Sequence, residues 1–162
     1  MAKDMRSWIS QLEKAGELSR NTDEVRSEVI GWLLAESKEK ALLLENVTGY
    51  PGWKVLGRAP ANMRQVAIAF ETEKEAVNRE YARRIATAGS SRCRMVAGGP
   101  VKEIVLRGDD VRLTTLPVHV QGKKDKAPFI TAGLIISKDP ETGIRNLAFH
   151  RMQVKGDNKL GI

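Results

Sequence analysis

Cysteine is nearly absent from this 162-residue sequence, which contains only Cys93. A single cysteine excludes an internal disulfide framework, and no His or Lys stands beside Cys93 to mark it as an activated nucleophile, so we expect it to be inert. Long apolar runs are also missing: none approaches the ~20 residues that a transmembrane helix needs. The charged first residues lack the apolar segment of a secretory signal. The sequence therefore predicts a cytoplasmic protein without a membrane span.

Aromatic residues are scarce, at 5% of the chain, whereas 27 Lys and Arg against 20 Asp and Glu give a formal net charge of +7. This charge favours an anionic partner such as nucleic acid, a phosphate-bearing cofactor or an acidic substrate. The basic residues are interspersed with acidic ones, and the few aromatics do not alternate with them, which argues against a nucleic-acid surface. The compact cationic cluster at residues 122–126 is interpreted as a solvated loop.

The first half of the sequence predicts helices and one pair of strands. Apolar residues at helical spacing indicate a helix over 4–15, with Asp4 as its N-cap and Gly16 as its stop. A second helix is predicted from about 24 to 37, behind the capping candidates Asn21, Thr22 and Asp23. Residues 41–47 predict a buried strand, 53–57 its partner, and about 63–71 and 74–86 two more helices.

The second half is predicted to be extended, after a glycine- and serine-rich connection at residues 88–92. A strand is expected over 101–106 and a loop or short helical turn over 113–117. The runs 129–136 and 146–154 are expected to form an antiparallel hairpin through the turn at Asp139–Gly143. The fold class predicted is α+β: a single lobe in which a mixed helical part, about 1–99, packs on a β-rich part, about 100–162.

The second hairpin strand carries the residues that suggest chemistry. Strand alternation sends polar and apolar residues to both of its faces, with Asn146, Ala148, His150 and Met152 on one and Leu147, Phe149, Arg151 and Gln153 on the other. Two interpretations carry equal weight on spacing alone. The strand is either a sheet edge with side chains reaching water, or one wall of a ligand pocket in which arginine binds a phosphate or carboxylate.

Several segments, in order along the chain, closely resemble the UbiD family of non-oxidative decarboxylases. The resemblance rests on residues 100–117 (PVKEIVLRGDDVRLTTLP), 129–133 (FITAG) and 138–153 (KDPETGIRNLAFHRMQ). The beginning of the chain is similar to the family as well, at residues 5–18 (MRSWISQLEKAGEL) and 42–47 (LLLENV). The match covers nearly the whole chain.

The resemblance implies a split-barrel-like domain that binds prenylated flavin mononucleotide (prFMN), with a divalent metal, commonly Mn²⁺, and K⁺ near its phosphate. It implies decarboxylation of aromatic or α,β-unsaturated acids, and dimers or higher assemblies. In the family pattern Asn-x-x-x-x-Arg, the asparagine binds the metal and the arginine is catalytic, facing the substrate carboxylate; these are Asn146 and Arg151 here. Phe149 and His150, together with Arg151, are then expected to contact the cofactor.

The remaining metal ligands of the family, a His and a Glu, and its acid/base glutamates are expected beyond the position of Ile162. The chain is therefore expected to be the amino-terminal part of such an enzyme and to be inactive alone. One alternative is a non-catalytic subunit or assembly module that pairs with a larger UbiD-like partner. A third hypothesis, a small basic nucleic-acid binder, rests only on the charge. His150 is interpreted as a structural residue rather than a general base, and His119 as a loop residue beside Pro117.

Overall fold

The structure is a computed structural model that describes residues 4–88 and 95–162. Cys93 and most of the glycine- and serine-rich segment lie outside these residues. The helices are α1 (Met5–Lys14), α2 (Ser27–Glu36), α3 (Met63–Phe70) and α4 (Val77–Ala88). The strands are β1 (Leu18–Val25), β2 (Ala41–Val47), β3 (Val55–Gly57), β4 (Phe129–Ile130), β5 (Leu134–Lys138), β6 (Arg145–Phe149), β7 (Met152–Gly156) and β8 (Lys159–Gly161).

Helix α1 begins and ends as the sequence predicts. The side chain of Asp4 accepts a hydrogen bond from the amide of Ser7 at 2.7 Å, and the Ser7 hydroxyl accepts one from the amide of Asp4 at 3.1 Å. This reciprocal cap satisfies amides that a helix leaves unpaired at its start. Gly16 follows the helix with φ +71°, a conformation that glycine adopts without strain. Leu12 is fully buried and fixes the helix to the domain.

The second helix differs from its prediction. It begins at Ser27 rather than near residue 24, and the proposed capping residues Asn21–Asp23 lie instead in strand β1. Strand β1 pairs in parallel with β2 but carries mostly polar residues, and four of its eight residues are exposed. Hydrophobic alternation is the main sequence signal of a strand, and β1 lacks it because it lies at the edge of its sheet.

The first sheet has the order β1-β2-β3 and contains the main core. β2 lies in the centre, parallel to β1 and antiparallel to β3, as expected for the predicted pair 41–47 and 53–57. Helix α2 connects the two parallel strands and packs its apolar side on them. The buried cluster consists of Val25, Ile30, Leu44 and Val47.

The strand predicted at residues 101–106 is absent, and this prediction is wrong. The chain forms a short 3₁₀ turn at Pro100–Lys102 and no strand after it. Val101 and Ile104 are more than 80% exposed. β-branched residues favour a strand only where a neighbouring strand accepts their backbone hydrogen bonds, and within the described residues none lies beside this segment. The helical turn expected over 113–117 is present at Leu113–Thr115.

The β-rich half confirms an antiparallel hairpin in two pieces. β5 pairs with β6, β4 pairs with β7, and β8 extends the second piece as a third strand. The tight turn lies where predicted: the amide of Gly143 donates to the carbonyl of Asp139 at 2.9 Å. The fold class is α+β, and the strands of the described residues form no closed barrel.

The two halves meet closely at Gly31 of helix α2. A Cβ atom at this position would lie 2.9 Å from the carbonyl oxygen of Val120 and would clash with that of Gln121. Real side chains do not approach a backbone oxygen so closely, so glycine is required for this contact. In the described part of the chain, no helix is both long enough and apolar enough to cross a membrane.

Candidate functional site

The hairpin is interrupted at the segment that carries the candidate residues. Ile130 pairs with Met152, and Leu134 pairs with Phe149, so three residues on one side oppose two, His150 and Arg151, on the other. Such a bulge bends the strands and changes the direction of the side chains beside it. The continuous strand predicted over 146–154 is therefore wrong, and the alternation deduced from it ends at Phe149.

A glycine and a buried methionine lie at this interruption. The amide of His150 still donates to the carbonyl of Gly133, at 3.4 Å. A Cβ at Gly133 would clash with the terminal methyl group of Met152, a side chain only 6% exposed. Met152 therefore fills the space beneath the bulge, and Arg151 lies between this buried anchor and the exposed strand β6.

Arg151 is held by two groups from other segments. Its Nη2 atom lies 2.5 Å from Oδ2 of Asp125, and its guanidinium carbon lies 3.8 Å from the ring centroid of Phe129. Both contacts suit arginine, which pairs with a carboxylate at its edge and stacks on an aromatic ring with its face. The hydrogen bond from Arg151 lowers the pKa of the Asp125 carboxyl, so this carboxyl stays ionised at neutral pH.

The contact with Asp125 was not predicted from the sequence. Residues 122–126 were interpreted as a solvated loop, and its lysines are indeed exposed, but Asp125 is half-buried. Its Oδ2 atom also accepts a hydrogen bond from the amide of Gly122, at 3.0 Å. The single acidic residue among the lysines was the available signal, because a charge opposite to its neighbours stands out in a cluster.

The other candidate residues form an open surface beside Arg151. Asn146 lies in β6 opposite Ser137, and its side chain is exposed. The ring of Phe149 is 74% exposed at the end of the same strand, and His150 is exposed after it. Among the described residues, no side-chain hydrogen-bond partner of Asn146 or His150 is present. An exposed aromatic ring beside unpaired polar groups suits a flat ligand that has both a ring system and polar substituents.

The surface beside Arg151 offers one side chain suited to a metal ion, that of Asn146. In residues 4–88 and 95–162, no cluster of three His, Cys, Asp or Glu side chains is arranged to hold a metal ion. The amide oxygen of Asn146 is a hard ligand of the type that Mg²⁺ and Mn²⁺ bind, and it is free. The described residues therefore fit a metal that takes one ligand from this chain and its other ligands from elsewhere.

A cavity of about 470 Å³ lies between helix α2, strand β3 and the bulge. Thr131 and Ala132, which oppose His150 and Arg151 in the hairpin, form part of its wall. His119 is 8% exposed in the same wall, and its Nε2 atom lies 2.9 Å from the side-chain nitrogen of Gln121. Burial lowers the pKa of His119, so its ring is neutral at neutral pH. The sequence identified His119 as a loop residue but not its burial.

Two family descriptions match the chain in consecutive segments. Residues 9–85 match the 3-octaprenyl-4-hydroxybenzoate carboxy-lyase N-terminal domain. Residues 94–162 match the Rift-related domain of the same carboxy-lyase. Together the two matches include every candidate site residue and both halves of the fold.

Similar proteins extend well beyond the length of this chain. An uncharacterised protein in the cooM 5' region of Rhodospirillum rubrum is 32% identical over 98% of the chain. An evolved dimeric form of the UbiD-class enzyme HmfF from Pelotomaculum thermopropionicum, solved with prFMN, is 32% identical over 99% of the chain with a TM-score of 0.86. The chain spans 35% of the first protein and 38% of the second.

A more distant structure has the same fold. The closed form of vanillic acid decarboxylase from Sedimentibacter hydroxybenzoicus aligns with 99% of the chain at a TM-score of 0.85, with 23% identity. At this identity the likeness concerns the arrangement of helices and strands only. The alignment covers both halves of the chain, so the fold as a whole is shared with that structure.

Proposed function

The chain belongs to the UbiD family, and we propose on this premise that it forms one wall of the active site in a prFMN-dependent decarboxylase. The reaction proposed is the non-oxidative removal of CO₂ from an aromatic or α,β-unsaturated carboxylic acid, by a carboxy-lyase that includes this chain. The observation that carries the proposal is the position of Arg151 at the hairpin bulge, stacked on Phe129 and next to the open surface of β6. A relative of the same fold, 32% identical, was solved with prFMN.

Arg151 is proposed to bind the carboxylate of the substrate. Its pair with Asp125 engages Nη2, and its remaining N–H groups have no hydrogen-bond partner among the described residues. A guanidinium carries five N–H donors, so two can still bind a carboxylate in a bidentate manner. Holding the acid in one orientation lowers the entropic part of the barrier to losing CO₂.

The open surface of β6 is proposed to contact the cofactor. When bound, prFMN supplies an electron sink for the charge that develops as the carboxylate leaves. The exposed ring of Phe149 and the adjoining His150 would pack against the flavin, and Asn146 would give its amide oxygen to a divalent metal, Mn²⁺ by family resemblance, at the phosphate. K⁺ is proposed to bind the same phosphate.

A second candidate function is a non-catalytic module that assembles with a larger UbiD-like chain. It is favoured by the apolar side chains on the β5–β6 hairpin, where Ile136, Ile144 and Phe149 are each about 70% exposed or more. Exposed apolar patches of this kind mark interaction surfaces. The same observation supports homo-oligomers in the catalytic proposal.

The test is turnover by the natural protein that contains this chain, loaded with prFMN and a divalent metal. A panel of benzoates, cinnamates and heteroaromatic acids is incubated with the enzyme, and released CO₂ is measured. Arg151→Ala is expected to reduce kcat/KM about 100-fold or more, because one preorganised charged group at a reacting carboxylate contributes on this scale. Arg145→Ala removes the same charge from an exposed position in strand β6 and is expected to stay within about twofold of wild type.

The cofactor contacts are tested separately. Asn146→Ala is expected to lower metal and cofactor content, whereas Asn158→Ala, in the exposed turn before β8, serves as the control. No turnover of any acid by the wild-type holoenzyme, together with stoichiometric binding to a larger UbiD-like chain, would replace the catalytic proposal by the second one. Equal loss in Arg151→Ala and Arg145→Ala would contradict the role of Arg151.

A further inference from the structure

We propose that Asp125 is a positioning residue, which fixes the Arg151 guanidinium so that its free N–H groups point at the substrate carboxylate. This inference rests on the proposed function of Arg151 and adds a residue to it. Asp125 itself does not contact substrate or cofactor in this proposal. It lies 26 residues before Arg151 in the sequence, in the loop that precedes β4.

Two contacts from different directions define the place of the guanidinium. The ring of Phe129 lies against its face at 3.8 Å, and the carboxylate of Asp125 lies at its edge at 2.5 Å. A ring alone would leave the guanidinium free to rotate in its own plane, because stacking has no preferred in-plane direction. The carboxylate removes that rotation and thereby determines which donors face outward.

Asp125 and Phe129 are themselves fixed by backbone contacts. The amide of Asp125 donates to the carbonyl of Gly122 at 2.9 Å, and the amide of Gly122 donates back to Oδ2 of Asp125 at 3.0 Å. Phe129 is paired with Gln153 in the ladder between β4 and β7. The support of the guanidinium therefore comes from a closed turn and a strand, not from another mobile side chain.

The charge pattern of the loop agrees with a specific role. Lys123, Lys124 and Lys126 are exposed, whereas Asp125 is turned inward and only 22% of its side chain is exposed. Removing a carboxylate from water is unfavourable unless it gains a partner, so the partial burial of Asp125 indicates that its pair with Arg151 is specific. The Arg151 side chain remains 49% exposed in this pair, so part of it is accessible to a ligand.

The experiment uses the prFMN-loaded enzyme that contains this chain, with the variants Asp125→Asn, Asp125→Glu and Asp109→Asn. Asp109→Asn is the matched control, because it removes one exposed carboxylate far from Arg151 in sequence. KM and kcat are measured with an acid that the wild type decarboxylates, alongside cofactor absorbance and Tm. Asp125→Asn is expected to raise KM about tenfold, in line with the loss of one charge-assisted hydrogen bond. Its cofactor content and Tm should match those of Asp109→Asn, and Asp125→Glu should recover most of the loss.

A crystal structure of the Asp125→Asn holoenzyme gives a second result that does not depend on turnover. The guanidinium of Arg151 is expected to leave its position on Phe129 or to occupy several orientations. An unmoved guanidinium with kinetics within twofold of wild type overturns the inference, and so does a loss of cofactor or of Tm specific to Asp125→Asn. If the wild type turns over no acid, the proposed function fails, and the inference about Asp125 is decided by the position of the guanidinium alone.

Discussion

Gln65 donates a hydrogen bond from its side-chain nitrogen to the backbone carbonyl of Glu17 across 3.2 Å, in a place where Gln65 has no exposed surface. The side-chain oxygen of Gln65 accepts from the amide of Ala61 at 2.8 Å. One buried amide thus joins the start of helix α3 to the segment between α1 and β1. Buried polar groups of this kind are costly to leave unpaired.

Replacing Gln65 by Leu should therefore lower the free energy of unfolding by about 2 kcal/mol, because the amide of Ala61 loses its partner and the carbonyl of Glu17 loses one of its two hydrogen bonds. Urea denaturation measures the change. Gln11→Leu is the matched control: the side-chain oxygen of Gln11 is already buried without a partner. Its removal should cost little or be stabilising, and equal destabilisation by the two variants would contradict the role given to Gln65.

The stability of the domain should fall on acidification because of His119. Burial lowers the pKa of its ring from the ordinary value of 6.5, so the folded state binds the proton less readily than the unfolded chain. The stabilisation is complete above about pH 6.5 and is lost as the pH falls through the folded pKa. Thermal unfolding between pH 7.5 and 5 should show a drop in Tm that is smaller in His119→Gln. An identical pH profile in the variant would exclude His119 as the cause.

Helix α4 should weaken only in strong acid. Hydrogen bonds from Arg83 and Arg84 lower the pKa of Glu80 from 4.5 to about 2. Because the folded pKa is the lower one, this contribution is complete above about pH 4.5 and is lost as the pH falls toward 2. An NMR titration of the Glu80 carboxyl measures the pKa directly. Arg83→Ala should move it back toward its ordinary value, and an unchanged pKa would contradict the assigned cause.

Substituting Gly31 by Ala should destabilise the contact between the two halves by about 1–3 kcal/mol, the usual cost of overpacking. A loss of stability would be informative, because alanine in a helix is otherwise favoured over glycine by about 1 kcal/mol. Gly156→Ala is the control, because nothing lies within 4 Å of its added Cβ. Chemical denaturation of both variants measures the difference. A Gly31→Ala protein as stable as wild type would contradict the requirement for glycine at this contact.

The elements that the sequence predicted correctly are those whose signals are local. Helix α1 has its cap at Asp4 and its apolar stripe, and β2 is a short apolar run bounded by turn residues. Strand β1 was missed because an edge strand made of polar residues carries no alternation. Residues 101–106 have the composition of a strand but no strand beside them among the described residues, and composition cannot reveal the absence of a partner.

The candidate site divides in the same way. The sequence could identify four candidate residues, because the family resemblance is read from one continuous segment that contains them: Asn146, Phe149, His150 and Arg151. The partners of Arg151 could not be identified in this way, since Asp125 and Phe129 come from a loop and a strand that only folding brings to it. The bulge could not be predicted either, because residues 146–154 contain no glycine or proline that would indicate an interruption of the strand pairing.

The bulge also affects which face of the hairpin Asn146 and Arg151 lie on. Asn146 and Arg151 are an odd number of positions apart, so in an unbroken strand they would lie on opposite faces and could not serve one ligand. The interruption at His150 and Arg151 removes that constraint, because three residues across the ladder meet two. Deleting one residue from 131–133 would leave two residues opposite two. The ladder could then continue unbroken, and Asn146 and Arg151 would lie on opposite faces. The proposed joint role of Asn146 and Arg151 at one ligand therefore depends on the interruption of the hairpin between them.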